Sequence, residues 1–167
     1  MAPFSIRAAS PGDAERVSAL LGTAYPVLMR DGYAQHVLER ALPSMILAQP
    51  VLLDSGRFFV AESDGMDVAG CGGWSHEPPG TWASHGGVGH VRHFATHPDW
   101  VRRGVGRALM CACMAQATSE GFHRLDCLAS LNAIDFYTAL GFSRIAEIDM
   151  PIAAGGFTVV HMRRALR

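Results

Sequence analysis

Three arginines and two glycines fall within six residues at Arg102-Arg103-Gly104-Val105-Gly106-Arg107, between a run that reads as a strand and one that reads as an amphipathic helix. The first turn of a helix leaves backbone N–H groups without partners, and its dipole adds partial positive charge, so such a segment binds anions. Gly104 and Gly106 lack the Cβ that would hold a phosphate away, and the guanidinium groups supply opposite charge. A dinucleotide fingerprint would need a third glycine near position 109, where the chain has Leu109, and would follow the first strand rather than the fourth. A Walker A loop would end in Gly-Lys-Ser/Thr, which is absent. The readings left for this segment alone are a site for a small anionic ligand and a plain Gly-rich turn into a helix.

His90, His93 and His97 form the second group with chemical reach. In a regular strand His90 and His93 face opposite sides, and His93 and His97 lie about 13 Å apart at about 3.3 Å per residue, which argues against a three-histidine zinc site. Cys71 and Cys127 sit in apolar strand-like runs, while Cys111 and Cys113, two apart on a helix, point in different directions. They read as small buried residues rather than as a disulfide or metal set, so no metal is expected.

These groups sit in a chain of 167 residues and 17.9 kDa that is 49% hydrophobic, enough for one core and a single domain over 1–167. Charged residues make up 17%, and 14 basic against 15 acidic side chains leave a net charge of -1, which argues against a nucleic-acid partner. The most apolar stretch, Ala41 to Leu53, is broken by Pro43, Ser44, Gln49 and Pro50 and is too short to span a bilayer. The N-terminal residues carry no apolar signal core. No membrane partner is expected, and the location expected is cytoplasmic.

The elements that must position the two groups follow from periodicity. Phe4 to Ala8 reads as a strand; Ser10, Pro11 and Asp13 start a helix that carries Val17, Leu20, Leu21 and Ala24 on one face. A second helix covers Tyr33 to Leu42, and Arg57 to Glu62 and Asp67 to Trp74 form a hairpin. A Gly- and Pro-rich loop, Ser75 to Gly87, precedes the strand Val88 to Thr96. The helix after Gly104 ends at Glu120-Gly121, Phe122 to Ala129 is a strand, and Asn132 caps a helix that runs to Leu140. Ser143 to Asp149 and Phe157 to Arg164 close the chain as a hairpin. The order β-α-α-β-β-β-α-β-α-β-β gives an α/β domain with a mixed sheet.

The segment His97 to Leu109 after one strand, together with Asn132 to Phe142 after the next, resembles the GNAT N-acetyltransferase superfamily, and the element order resembles that fold over the whole chain. The resemblance implies a mixed, mostly antiparallel central sheet of about seven strands flanked by four helices, with acetyl-CoA as co-substrate. It implies that Phe94, Ala95 and Thr96 offer backbone groups to the pantetheine arm and acetyl carbonyl, and that Arg102, Arg103, Gly104, Val105, Gly106 and Arg107 hold the pyrophosphate. Asn132 would contact pantetheine, with a purely capping role as the alternative, and Tyr137 would reach the thioester sulfur. Val101 departs from the Gln or Arg that opens the family signature.

His90 stands fourteen residues before Gly104, where several members carry a catalytic Glu, and is the first choice of base, ahead of Glu77 or water alone. The acceptor implied is a primary amine of a small molecule or peptide, in a groove walled by Tyr25 to Tyr33 and Pro151 to Gly156, with Tyr25, Met29, Trp74 and Trp82 suggesting a partly apolar acceptor. A homodimer is open to such a chain. A CoA-binding sensor without turnover and a dinucleotide-dependent reductase are the competing readings.

Overall fold

Alternating apolar residues in seven strands build one sheet in the order β1-β2-β3-β4-β5-β7-β6, seen in a computed structural model that describes residues 3–64, 66–80, 82–152 and 156–167. The strands are β1 Phe4–Ala8, β2 Phe58–Ser63, β3 Met66–Ser75, β4 Val88–Thr96, β5 Arg124–Ser130, β6 Ser143–Met150 and β7 Phe157–Ala165. All neighbours pair antiparallel except β4 and β5, so the sheet is mixed and mostly antiparallel.

Among the described residues five α-helices cover it: α1 Ala14–Leu28, α2 Gln35–Met45, α3 Pro50–Asp54, α4 Val105–Ser119 and α5 Ile134–Ala139. Four match the helices that the periodicity gives. The fifth, α3, is a single turn in the apolar stretch before β2, started by Pro50 at its first position and sunk into the core through Leu52 and Leu53. Five residues are too few for periodicity to mark.

Each face of the sheet has its own core. On one, Leu21, Ala24 and Tyr25 of α1, Val37 and Ala41 of α2 and Leu53 of α3 pack on Val60, Cys71, Ala95 and Val159. On the other, Met110 and Cys113 of α4 and Tyr137 of α5 pack with Trp74, Val91, Leu125, Cys127 and Val160. The first helix is entered through a 3-10 turn, Pro11–Asp13, where the Asp13 carboxylate accepts the Ser10 N–H at 2.8 Å. Among the described residues no helix is long and apolar enough to cross a membrane.

Two features of β4 position the site. Arg92 pairs Gly73 and Ala95 pairs Cys71, so His93 and Phe94 stand opposite Gly72 alone; this is a β-bulge, with His93 in the left-handed region at φ 51°. The parallel pairing to β5 covers only Val88 to His90 against Arg124 to Asp126. Beyond it β4 stays on β3 and β5 stays on β7, so the two strands diverge and leave a wedge at the sheet centre.

Candidate active site

The wedge opens beside the N-terminus of α4. Gly104 is the N-cap at φ 86°, a conformation that L side chains rarely adopt, and a Cβ there would meet no atom within 4 Å. The first turn, Val105, Gly106 and Arg107, therefore starts from an open surface. Arg102, Arg103 and Arg107 are all exposed around it; Arg103 lies 4.9 Å over the Trp100 ring, and none of the three has an ion-pair partner among the described residues. Gly106 has a packing reason beside the phosphate approach expected of it. A Cβ there would sit 2.7 Å from the Phe136 ring, so this glycine lets α4 pack on α5.

The edge of β4 inside the wedge has no strand partner beyond His90 among the described residues. His97 N–H donates to Ala69 O at 2.8 Å, and by strand alternation Ala95, opposite Cys71, also turns its amide toward β3. Phe94 and Thr96 turn theirs the other way. The three residues expected to offer backbone groups thus narrow to two on the open edge. Tyr25 reaches in from α1 and donates its hydroxyl to Phe94 O at 3.2 Å.

Tyr137 closes the wedge from α5. It is buried, edge-on to Phe136 and Phe142 with centroids 5.1 and 5.4 Å apart, and burial beside Cys127 and Tyr25 pushes its hydroxyl well above its ordinary pKa. Asn132 lies in the 3-10 turn Leu131–Ala133 and is not the cap expected of it: the N-cap of α5 is Ala133. Its side chain makes no hydrogen bond among the described residues.

His90 is buried at the apex of the wedge, and its Nε2 has no hydrogen-bond partner among the described residues. It lines a cavity with Asp126, Leu128, His161 and Trp82. Asp126 accepts from His161 Nε2 at 2.9 Å and from Arg163 at 3.2 and 3.3 Å. Arg124 Nε stands 3.1 Å from the same carboxylate but is not angled to donate. Burial pushes the Asp126 carboxyl up, and the hydrogen bonds from Arg163 and His161 outweigh it, leaving the group below its ordinary pKa. For His90, burial lowers the pKa first; Asp126 raises it, while Arg92, His161 and Arg124 lower it further. The imidazole is thus neutral near pH 7.

The bulge overturns the regular alternation expected of the histidines. His93 is turned toward α1, among Val17, Leu21, Leu53 and Phe58, with its Nε2 3.2 Å from Gln49 Nε2. Burial and the nearby Arg92 hold its pKa down to about 4. Trp74 is not an acceptor wall: it is buried under α4, where its Nε1 donates to Gln116 at 2.9 Å. Trp82 does line the cavity, edge-on to His161 at 5.1 Å. Glu77 is exposed, and residues 153–155 of the expected second wall lie outside the described residues. Asp126 and His161 had no role from sequence; their signal is a polar residue on the inward face of an otherwise apolar strand.

A family model described as an acetyltransferase (GNAT) domain matches residues 54–144. A GCN5-related N-acetyltransferase structure from Rhodopseudomonas palustris is 22% identical with a TM-score of 0.80, over 99% of this chain and 98% of that one. The PaiA N-acetyltransferase of Thermoplasma acidophilum, solved with coenzyme A, is 14% identical with a TM-score of 0.73 over 97% and 98%. N-acetylglutamate synthase of Neisseria gonorrhoeae, complexed with coenzyme A and N-acetyl-glutamate, is 22% identical with a TM-score of 0.66 over 98% of this chain and 35% of that one. At these identities the likeness is one of fold.

Proposed function

The chain belongs to the acetyltransferase (GNAT) domain family, and from that premise we propose that residues 1–167 act as one domain that moves the acetyl group of acetyl-CoA to a primary amine of a small molecule. The observation that carries this is the wedge between β4 and β5 opening beside the cationic N-terminus of α4, a slot with anion donors at its mouth and free strand amides along its wall. Bound there, acetyl-CoA supplies an activated acyl group as a thioester. That neighbours of the same fold were solved with coenzyme A supports the reading.

The first-turn amides of α4 with Arg102, Arg103 and Arg107 would hold the pyrophosphate. The Phe94 or Thr96 N–H would donate to the thioester oxygen as negative charge develops on it. An alkylamine with a pKa near 10.4 is mostly protonated at pH 7, so a proton must leave before attack. His90, four strand residues from Phe94 and neutral at pH 7, would take that proton through water on its unpartnered Nε2. As the amine nitrogen bonds to the acyl carbon and the C–S bond breaks, Tyr137 would give its proton to the departing sulfur. A thiolate leaves tolerably without help, so Tyr137 assists rather than decides.

The test is release of free thiol from acetyl-CoA across a panel of amines. Acceptor-dependent release is expected. Tight acetyl-CoA binding with no release for any amine would favour a sensor without turnover.

A further inference from the structure

Arg92 is a half-buried guanidinium with no carboxylate at ion-pair distance among the described residues. NH1 donates to Ser75 Oγ at 3.1 Å and NH2 to Gln49 Oε1 at 3.3 Å, both neutral. These bonds fix the group and leave its other N–H donors without a protein acceptor among the described residues. Burial works against its charge, and only the exposed Glu77 favours it from a distance. A desolvated, oriented and uncompensated guanidinium is costly to the fold unless an anion joins it.

Its surroundings do not supply that anion. The permanently charged groups that face the His90 end of the site are Arg92 and Arg124 against one carboxylate, Asp126, which His161 and Arg163 already occupy. The site is cationic in excess, so an acceptor that is only an ammonium is repelled. Arg92 is two residues from His90, about 6.6 Å of regular strand, and stands just before the bulge that carries Phe94, so it lies between the proposed proton acceptor and the amide proposed to face the acetyl oxygen. A carboxylate on an acceptor whose amine faces the acetyl carbon would meet Arg92 on that face, and an α-amino acid is the smallest acceptor that carries both groups.

We propose that the acceptor is a free α-amino acid, its carboxylate held by Arg92 while its amine faces the acetyl group. This rests on the acetyl-transfer reading for the amine's fate but not for the carboxylate's seat. A peptide N-terminus carries an amide where the amino acid carries its carboxylate, so it loses the charge-assisted fork.

The test sets each of several amino acids, from glycine to L-phenylalanine, against its α-amide and its decarboxylated amine. Two readouts are used: thiol release from acetyl-CoA, and calorimetric titration of the acceptor in the presence of CoA, which needs no turnover. The expected result is kcat/KM at least tenfold higher for an amino acid than for its amide or amine, carried mostly by KM. That ratio should fall to about one in Arg92→Gln and keep an intermediate value in Arg92→Lys, with acetyl-CoA binding as the check that both fold. Amides or amines that match the amino acids in the wild type, or a ratio that survives Arg92→Gln, would overturn the proposal and leave acetyl transfer standing. Carboxylate-dependent binding without thiol release would do the reverse. Neither binding nor release would overturn both.

Discussion

Two clusters of charge on this sheet are built in opposite ways. At the β1 edge, Asp13 binds Arg7 in a two-bond fork at 2.8 and 2.9 Å and also accepts from Arg16, while Glu62 binds Arg7 at 2.7 Å and Arg16 at 3.5 Å. Two cations meet two carboxylates, and every partner is internal. At the β4–β5 apex, guanidinium groups outnumber the single carboxylate, Arg92 binds only neutral acceptors, and His90 keeps a bare nitrogen. The closed cluster fixes how β1, β2 and α1 meet. The open one costs stability, and its free donors and acceptor are where a ligand can add bonds.

The contrast breaks most severely at His90. His90→Gln should lower kcat/KM for the acceptor by about 10²-fold or more at pH 7 with acetyl-CoA binding intact, since a positioned base contributes about 10²- to 10⁴-fold. In the wild type the rate should rise with pH through an inflection below 6.5, because burial lowers the His90 pKa and only the neutral imidazole accepts a proton. That inflection should stay put for two acceptors of different basicity and vanish in the variant. If it survives there, the base is elsewhere and Glu77→Gln is the next variant.

The closed cluster should respond in stability instead. Asp13 is almost wholly buried, and Asp13→Asn should cost about 3 kcal/mol in urea denaturation, the low end for a broken buried pair because both arginines are more than a third exposed. The fork from Arg7 holds the Asp13 carboxyl far below the usual range. Its contribution is therefore present above the unfolded pKa of about 3.9 and is lost as pH falls toward the folded value. The variant should lack most of that acid loss, with a residue from Glu62, whose pKa Arg7 also lowers. An unchanged acid limb in Asp13→Asn would contradict the assignment.

Tyr137 should give a smaller effect, about tenfold or less on kcat in Tyr137→Phe with little change in KM for acetyl-CoA. Its raised pKa keeps the proton available but makes it a weak acid. Unchanged kcat when chemistry limits the rate would leave Tyr137 as a core aromatic.

The exposed arginine- and glycine-rich start of α4 was legible in sequence because it is local: glycines, arginines and a helix start within six residues. The order of strands and the four longer helices were legible from periodicity. The bulge was not, because it depends on how β4 registers against β3, and it reversed the side on which His93 lies. That Gly106 also clears Phe136 was not legible, since it is a contact between residues thirty apart. The Asp126–His161 pair needed β5 and β7 to be placed side by side, a pairing that no local pattern encodes.

Acetyl-CoA affinity of Gly104 variants, measured by calorimetry, tests the central claim that this turn and the wedge beside it seat the co-substrate. Gly104→Ala and Gly104→Glu both carry the strain of φ 86°, about 1 kcal/mol, and neither meets a neighbouring atom at the Cβ, so their difference isolates charge at the phosphate seat. The account predicts near wild-type affinity for folded Gly104→Ala and at least tenfold weaker binding for Gly104→Glu. Equal affinity in the two variants would contradict it.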